Sequence, residues 1–430
     1  MTTHRLPSLD RQPTRGAPEG APRVGRSIDR SGAGRVAPGG HEGHASHVAR
    51  GDRPYRIDFL TVIPSPYQTE LFDAVARHPG LDPRVYYYTD TSPDRQWTPP
   101  SLPDHSTVLP GVALHALTRC CCFNPTAVHR LRREPADLVV VGDYFTLTAQ
   151  LVMRNLTRRG VPWVFWGEIP GLNQRSRAGC MLRKFAQRPM VRGAEAVAAI
   201  GSRARDAYRD LLSDDRPVVN IPYHCDLSAF LAIERHDTAT QPLRLLFSGQ
   251  MIPRKGVDVL LEAYRRLRRG LDHQTPPPQL TLLGDGPQRQ AYASHVPDEL
   301  RGDVSFRGFQ PPDALPHEFA KADVFVLPSR HDGWGLVINE AIAAGMPVIT
   351  TDRVGAAHDL VEHDQNGYVI PSDDPNALAQ AMARFVADRT RVSAFGRCSR
   401  RIAQDYTPER GAERWFDLCE TLLDSRKTNP

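Results

Sequence analysis

No stretch of this 430-residue chain approaches the roughly 18 consecutive apolar residues of a membrane-spanning helix, so an integral membrane protein of helical type is excluded. The first 53 residues contain no Phe, Trp or Tyr and no apolar run, while Arg, Gly, Pro and Ser abound. Such a composition cannot build a core, and residues 1–53 are expected to be a disordered tail. Nine basic against five acidic residues give this tail +4 of the chain's +5. No h-region follows its early arginines, so no secretory signal is expected. The seven cysteines lack framework spacing. Their odd count argues for reduced thiols and a cytoplasmic protein. The triplet Cys120-Cys121-Cys122 has no second half that would complete a zinc site, and buried or incidental thiols explain it better. Finally, no G-x-G-x-x-G follows the first expected strand, Arg56–Ile63. The position reads Pro64-Ser65-Pro66-Tyr67, which argues against a nicotinamide oxidoreductase.

What the chain does have is a double alternation of strands and helices. In the first half the strand patterns are Arg56–Ile63, Pro83–Tyr88, Asp137–Val141, Trp163–Trp166, Glu195–Ile200 and Val218–Ile221, with a first helix over Gln68–Arg77. A polar stretch near Ile233–Gln241 breaks the pattern and reads as a linker. A second alternation follows, with strands at Leu243–Phe247, Leu280–Leu283, Val304–Phe306, Val324–Leu327, Val348–Thr350 and Tyr368–Ile370. Helices are expected at Val257–Arg269, Asn376–Asp388 and Glu409–Leu423. Strands alternating with helices mean parallel, doubly wound sheets. The expected domains are 54–235 and 236–408, with a final helix over 409–430 that could pack back on the first domain.

The run Ser329-Arg-His-Asp-Gly-Trp-Gly-Leu-Val-Ile-Asn-Glu-Ala-Ile-Ala-Ala-Gly-Met-Pro347 carries the most chemistry. Asp332 and Glu340 lie eight positions apart across a Gly-rich loop and the first turns of an expected helix, with a buried-strand pattern on either side. The loop-to-helix corner of such a βαβ unit is where an anion binds. At about 1.5 Å of rise per residue, Glu340 is expected one to two turns below the loop. One carboxylate would hold a sugar hydroxyl and the other a ribose, with amides on phosphate between them. That layout fits a nucleotide sugar.

This segment resembles the C-terminal signature of the retaining GT-B glycosyltransferases, glycosyltransferase family 4 (glycosyl transferases group 1). That family carries two Glu residues separated by seven others in an E-G-F-G-L-x-x-x-E-A context. Here Gly333, Gly335, Leu336, Glu340, Ala341, Gly345 and Pro347 match, Asp332 stands for the first Glu, and Trp334 is the aromatic. The loop Phe247–Gly256 resembles the family's phosphate loop, G-R-x-x-x-x-K-G. Gly249, Lys255 and Gly256 match; Gln250 replaces the Arg, and Arg254 beside Lys255 could restore its charge. Leu283-Gly284-Asp-Gly286-Pro287 resembles a further Gly-Pro turn of the same cleft, or is simply a tight turn, and Arg307-Gly308 falls at the family's nucleobase pocket. Glu168, ending Pro162–Gly167, stands where the family often has a His near the reacting sugar; a structural Glu is the other reading. Asp143, ending another strand at the same edge, has a weaker claim.

The resemblance implies an α/β protein of GT-B fold, two Rossmann-like domains facing across a cleft. It implies a retaining, metal-independent hexosyltransferase whose donor is a nucleotide diphosphate sugar, a UDP-sugar ahead of GDP-mannose, and whose acceptor is a glycan, a lipid-linked sugar or a small glycoside. Lys255, Asp332 and Glu168 are the expected catalytic residues. Arg254, Gly249, Gly284, Gly286, Gly333, Trp334, Gly335, Leu336 and Glu340 are the expected donor-binding ones. No Asp-x-Asp metal motif occurs in the second half. With Asp332 and Gln250 departing from the pattern, a catalytically silent GT-B protein that binds a nucleotide sugar or a partner is the alternative. Residues 151–210 hold 12 basic and 4 acidic residues. Without a recognition module this is not a nucleic-acid site; peripheral contact with the anionic inner face of a membrane, or an anionic acceptor, is the better-motivated reading, beside ordinary Arg-rich helix faces.

Overall fold

The computed structural model describes residues 53–91, 101–113, 122–170, 177–212, 214–236 and 241–428. Residues 1–52 of the expected tail, Cys120 and Cys121 lie outside that set. Among the described residues, the apolar runs form two parallel sheets. The first half supplies β1 (Tyr55–Thr61), β2 (Leu81–Tyr87), β3 (Ser106–Val108), the short antiparallel pair β4 (Val112–Ala113) and β5 (Cys122–Phe123), β6 (Leu138–Val141), β7 (Trp163–Gly167), β8 (Ala196–Ala199) and β9 (Val218–Asn220). The second half supplies β10 (Arg244–Ser248), β11 (Gln279–Leu283), β12 (Val304–Gly308), β13 (Val324–Leu327), β14 (Val348–Thr351) and β15 (Gly367–Ile370).

The strand orders are β3-β2-β1-β6-β7-β8-β9 and β12-β11-β10-β13-β14-β15, all pairs parallel. Each order reverses once, between β1 and β6 and between β10 and β13. Loops after the strands on either side of such a reversal splay apart and leave a crevice for ligands. Ile57, Phe59 and Leu60 on β1, and all of β6 and β13, are buried, as strands are when helices cover both faces. Asp58 interrupts that run at 0% exposure, and the Arg84 guanidinium of β2 takes both its oxygens, at 2.7 and 2.8 Å. A buried charge needs that pairing.

The helices of the first half are α1 (Pro66–Arg77), α2 (Thr126–Arg133), α3 (Leu147–Arg159), α4 (Arg177–Gly193), α5 (Ser202–Leu212) and α6 (Ser228–Leu231). Those of the second are α7 (Val257–Gly270), α8 (Arg289–Ser294), α9 (Leu315–Ala320), α10 (Val337–Ala343), α11 (Ala357–Leu360), α12 (Pro375–Ala387), α13 (Thr390–Ala403) and α14 (Pro408–Thr428). Helix α1 starts two residues earlier than the sequence suggests, because Pro66 sits at a first-turn position where its missing N–H costs nothing. Thr146 caps α3 by accepting from the Ala149 amide, and Gly160, at φ 65°, ends it.

After β9 the chain runs through α6 toward β10. Arg235, within the expected linker, donates to the carbonyls of Phe319, Ala322 and Ala344 and so fastens the connection to the second half. Helix α14 then returns to the first half and packs along α1. Its Trp415 is fully buried, edge-on to Phe59 and Trp166 with ring centroids 5.1 and 5.5 Å away.

Candidate active site

The loops after β10 and β13, on either side of the reversal in the second sheet, are tied together. Pro253–Lys255 form a 3-10 turn, and Gly256 follows at φ 71°. A Cβ there would lie 2.2 Å from the Pro328 carbonyl oxygen, so only glycine lets the turn press against the end of β13. Arg330 crosses from the other loop, its amide donating to Arg254 O at 2.8 Å and its guanidinium pairing with Asp258 and Asp373. This lacing brings Lys255 Nζ to 2.5 Å from Asp332 Oδ2 and an Arg254 nitrogen to 3.3 Å from Asp332 Oδ1. Burial pushes the Asp332 carboxyl up, but Lys255 and then Arg254 outweigh it and hold the group below the ordinary carboxylate range.

From Asp332 the chain turns into α10. Asp332 bridges to the segment after β14, donating to Arg353 O and accepting from the Gly355 amide. The amides of Gly333, Trp334, Gly335 and Leu336 have no hydrogen-bond partner among the described residues. Such donors are completed by water or a ligand. Helix α10 begins only at Val337 and has seven residues, so Glu340 lies in its first turn rather than one to two turns below the loop. The Gly335–Leu336 turn, with Gly335 at φ 93°, takes up the residues that the sequence pattern gives to the helix. The Glu340 carboxyl is pushed up to about 7, chiefly by burial and then by the Glu70 carboxylate of α1. Glu70 is itself raised to about 6 by burial, against the Asp226 amide that it accepts from at 2.7 Å.

Glu168 arrives from the first half, exposed at the C-terminal end of β7. A Cβ on Gly333 would lie 1.7 Å from Glu168 Oε2, so the two halves touch at this point. Tyr223 donates its hydroxyl to Glu168 Oε1 at 3.2 Å, and Tyr208 to its carbonyl at 2.8 Å. Lys255, Arg254, Asp332, Gly333 and Glu168 therefore converge, drawn from three loops and both halves. Beside them lies a polar cavity of about 570 Å³ lined by Ile169, Pro170, Arg203, Arg330, His331 and Arg353, among others.

Other expected site residues have different surroundings. The Trp334 indole is 1% exposed, bonds Asn339 at 2.9 Å and packs against Gly201 of the first half, so its side chain does not line the cleft. Gly284 and Gly286, at φ 117° and 153°, let their loop approach the backbone of Gly249 and Met251; a Cβ on Gly284 would lie 2.0 Å from Gly249 O. They meet the neighbouring loop, and Gly249 is the surface they meet. Gln250 is exposed. Asp143 accepts from the amides of Phe145 and Thr146 and the Thr146 hydroxyl, closing the turn into α3. Sequence reasoning missed Glu70 and Tyr223, and also Asp359, which bonds Ser202 and Asn220 of the first half at 2.7 to 3.1 Å. The contacts of these three residues span 55 to 157 positions of chain and leave no local pattern to read.

With this geometry in view, residues 231–401 match the family described as Glycosyl transferases group 1. The matched segment takes in most of the second half. Curated relatives include the GDP-mannose-dependent alpha-(1-6)-phosphatidylinositol monomannoside mannosyltransferase of Mycobacterium tuberculosis, 34% identical over 184 residues, 41% of this chain and 45% of that one. The alpha-D-kanosaminyltransferase of Streptomyces kanamyceticus is 31% identical over 220 residues, 48% of this chain and 55% of that one. The chain thus aligns with about half the length of these relatives. Among solved structures, sucrose-phosphate synthase from Thermosynechococcus elongatus has a TM-score of 0.66 at 21% identity, covering 86% of this chain and all of that one. Anabaena HepE in complex with UDP has a TM-score of 0.63 at 18% identity, covering 85% of this chain and all of that one. The fold is GT-B, and the segment similar to the group 1 family lies in its second half. Among the described residues, no helix is long and apolar enough to cross a membrane.

Proposed function

We propose that the protein is a retaining glycosyltransferase that moves a sugar from a nucleotide diphosphate sugar to a glycan, lipid-linked or small-molecule acceptor. The observation that carries this reading is the convergence of Lys255, Arg254 and Asp332 of the second half with Glu168 of the first. Lys255 and Arg254 are cations fixed where a leaving diphosphate would develop charge, and the partnerless amides from Gly333 to Leu336 add donors to the same end. Pre-positioned charge of this kind stabilises a departing phosphate without a metal ion. Glu340 takes the ribose hydroxyls and Asp332 a hydroxyl of the transferred sugar. Asp is one methylene shorter than the Glu of the resembled pattern, so the sugar sits closer or a water bridges the gap.

Transfer then needs no protein nucleophile. The acceptor oxygen bonds the anomeric carbon as the bond to the diphosphate oxygen breaks on the same face, and the acceptor proton passes to that oxygen. Glu168 orients the acceptor hydroxyl, and the cavity of about 570 Å³ beside it is of a size to receive a sugar. UDP-glucose or UDP-N-acetylglucosamine is the donor that the sequence resemblance favours. The similarity to a GDP-mannose-dependent mycobacterial enzyme brings in GDP-mannose, and a phosphatidylinositol-type acceptor with it.

Calorimetry against a panel of UDP- and GDP-sugars, paired with donor hydrolysis, tests the proposal. Micromolar binding with slow hydrolysis of the bound donor is expected. Binding with no hydrolysis and no transfer to any glycoside would favour a silent binding protein, the reading motivated by Gln250 and Asp332.

A further inference from the structure

Helices α3 and α4 leave an apolar surface uncovered beside the cleft. The two helices run side by side in the same direction. Gln150 donates to Ala186 O at 2.7 Å, and further along Thr157 abuts Gly193, where a Cβ would lie 2.0 Å from its hydroxyl. That register sets Leu147, about one turn before Gln150, and Leu151, just after it, at the same level of the helix pair as Leu182 and Phe185. These four are 56, 45, 71 and 55% exposed, and Phe145 and Met181 extend the patch at 48 and 74%. Exposed apolar side chains gathered at one end of a helix pair mark an interaction surface.

Charge says what covers it. The 13 residues of α3 and 17 of α4 contain eight Arg or Lys and no Asp or Glu. Arg158, Arg159, Lys184 and Arg192 are exposed and form no ion pair among the described residues, and Arg188 lies over the Phe185 ring at 5.5 Å. Exposed apolar side chains and unpaired cations on the same two helices match an acyl–headgroup boundary carrying negative charge. Helix α3 follows β6 and α4 follows β7, so both start at the sheet edge where Glu168 stands.

We propose that the α3–α4 surface seats the protein on an anionic lipid bilayer, its apolar side chains in the headgroup–acyl boundary and its basic residues on the headgroups. Resting on the glycosyltransferase reading above, this turns the Glu168 side of the cleft toward the membrane and selects an acceptor presented from it.

The test is sedimentation of the full chain with vesicles of phosphatidylcholine, with and without phosphatidylglycerol. The wild type binds the anionic vesicles, and salt releases it. Lys184→Glu with Arg188→Glu lowers the partition coefficient at least about tenfold. Leu182→Gln with Phe185→Gln lowers it by a similar factor, although the charge is unchanged. All variants keep the wild-type circular dichroism and donor hydrolysis. The apolar pair is the decisive arm, because the basic N-terminal stretch has no aromatic residue that could replace it. Undiminished sedimentation of that folded variant overturns the proposal. So does concentration-dependent self-association of the wild type that the apolar pair abolishes, which would make the surface an interface between copies. A wild type that hydrolyses donor but ignores anionic vesicles refutes the docking surface and leaves the transferase reading standing.

Discussion

Lys255 Nζ lies 2.5 Å from Asp332 Oδ2, so the cation proposed to meet a diphosphate already has a carboxylate partner. A donor must therefore enter a charge pair and share it, with the phosphate on Lys255 and the sugar on Asp332. The pair couples the two ends of the donor, and its members should fail differently.

Lys255→Ala removes the charge proposed to offset the leaving group. Turnover should fall at least tenfold, and about 10² is the usual scale for a lost charge stabiliser. Steady-state kinetics on a variant with unchanged circular dichroism measures this. An unaltered kcat/KM would take Lys255 out of the site.

On the proposed reading the two acids divide the donor between them. Glu340→Gln should weaken the free nucleoside diphosphate and the nucleotide sugar alike. Asp332→Asn should spare the diphosphate and weaken only the sugar-bearing donor. Calorimetric titration of both variants with both ligands decides; equal losses for the bare diphosphate would end the division of roles.

Glu340 also predicts a pH dependence. Its carboxyl is raised to about 7 by burial and by Glu70, so nucleotide affinity carried by the ionised form should rise about tenfold between about pH 6 and about pH 8. Glu340→Gln should flatten that rise. Stability moves the opposite way. A carboxyl whose folded value is raised contributes fully below its ordinary range, and that contribution is lost as pH rises through about 7. Glu340→Gln should therefore gain stability over the wild type at alkaline pH and little at acidic pH. Thermal unfolding across the range is the measurement, and a pH-independent difference would count against the assignment.

Trp415→Ala should cost roughly 3 to 5 kcal/mol, the usual range for emptying a large buried aromatic site. The indole is fully buried against Phe59 and Trp166, so the loss falls on the first half although the residue belongs to the last helix. Urea unfolding reads this out, and a cost under about 1 kcal/mol would mean that α14 is only loosely held.

The fold was legible because its central strands are apolar on both faces, and Val324–Leu327 or Leu138–Val141 can be little else. Strands β3, β4 and β5 were not, being two or three residues long and only partly buried. Within the site, the Gly-Trp-Gly corner and Lys255 are marked in the sequence by their resemblance to family motifs, and the structure brings their two loops together. The inward turn of Trp334 could not, because the glycine that makes room for it, Gly201, lies in the other half. The sequence also set Glu340 too deep in its helix, since a positive φ at Gly335 delays the first helical turn. Glu70, Tyr223 and Asp359 reach the cleft only through tertiary contacts. No periodicity announces such residues.

Helix α14 has a mechanical consequence as well as an energetic one. Because the chain passes from the first half to the second near Arg235 and comes back through α13 and α14, the halves are joined twice. A body held at one strand can swivel in any direction; held at two, it can only swing, like a door on a pair of pins. Gly333 and Glu168 touch across the two halves, so a swing about the crossings would part or close that contact. The return of the last helix would then set the path along which donor and acceptor are brought face to face.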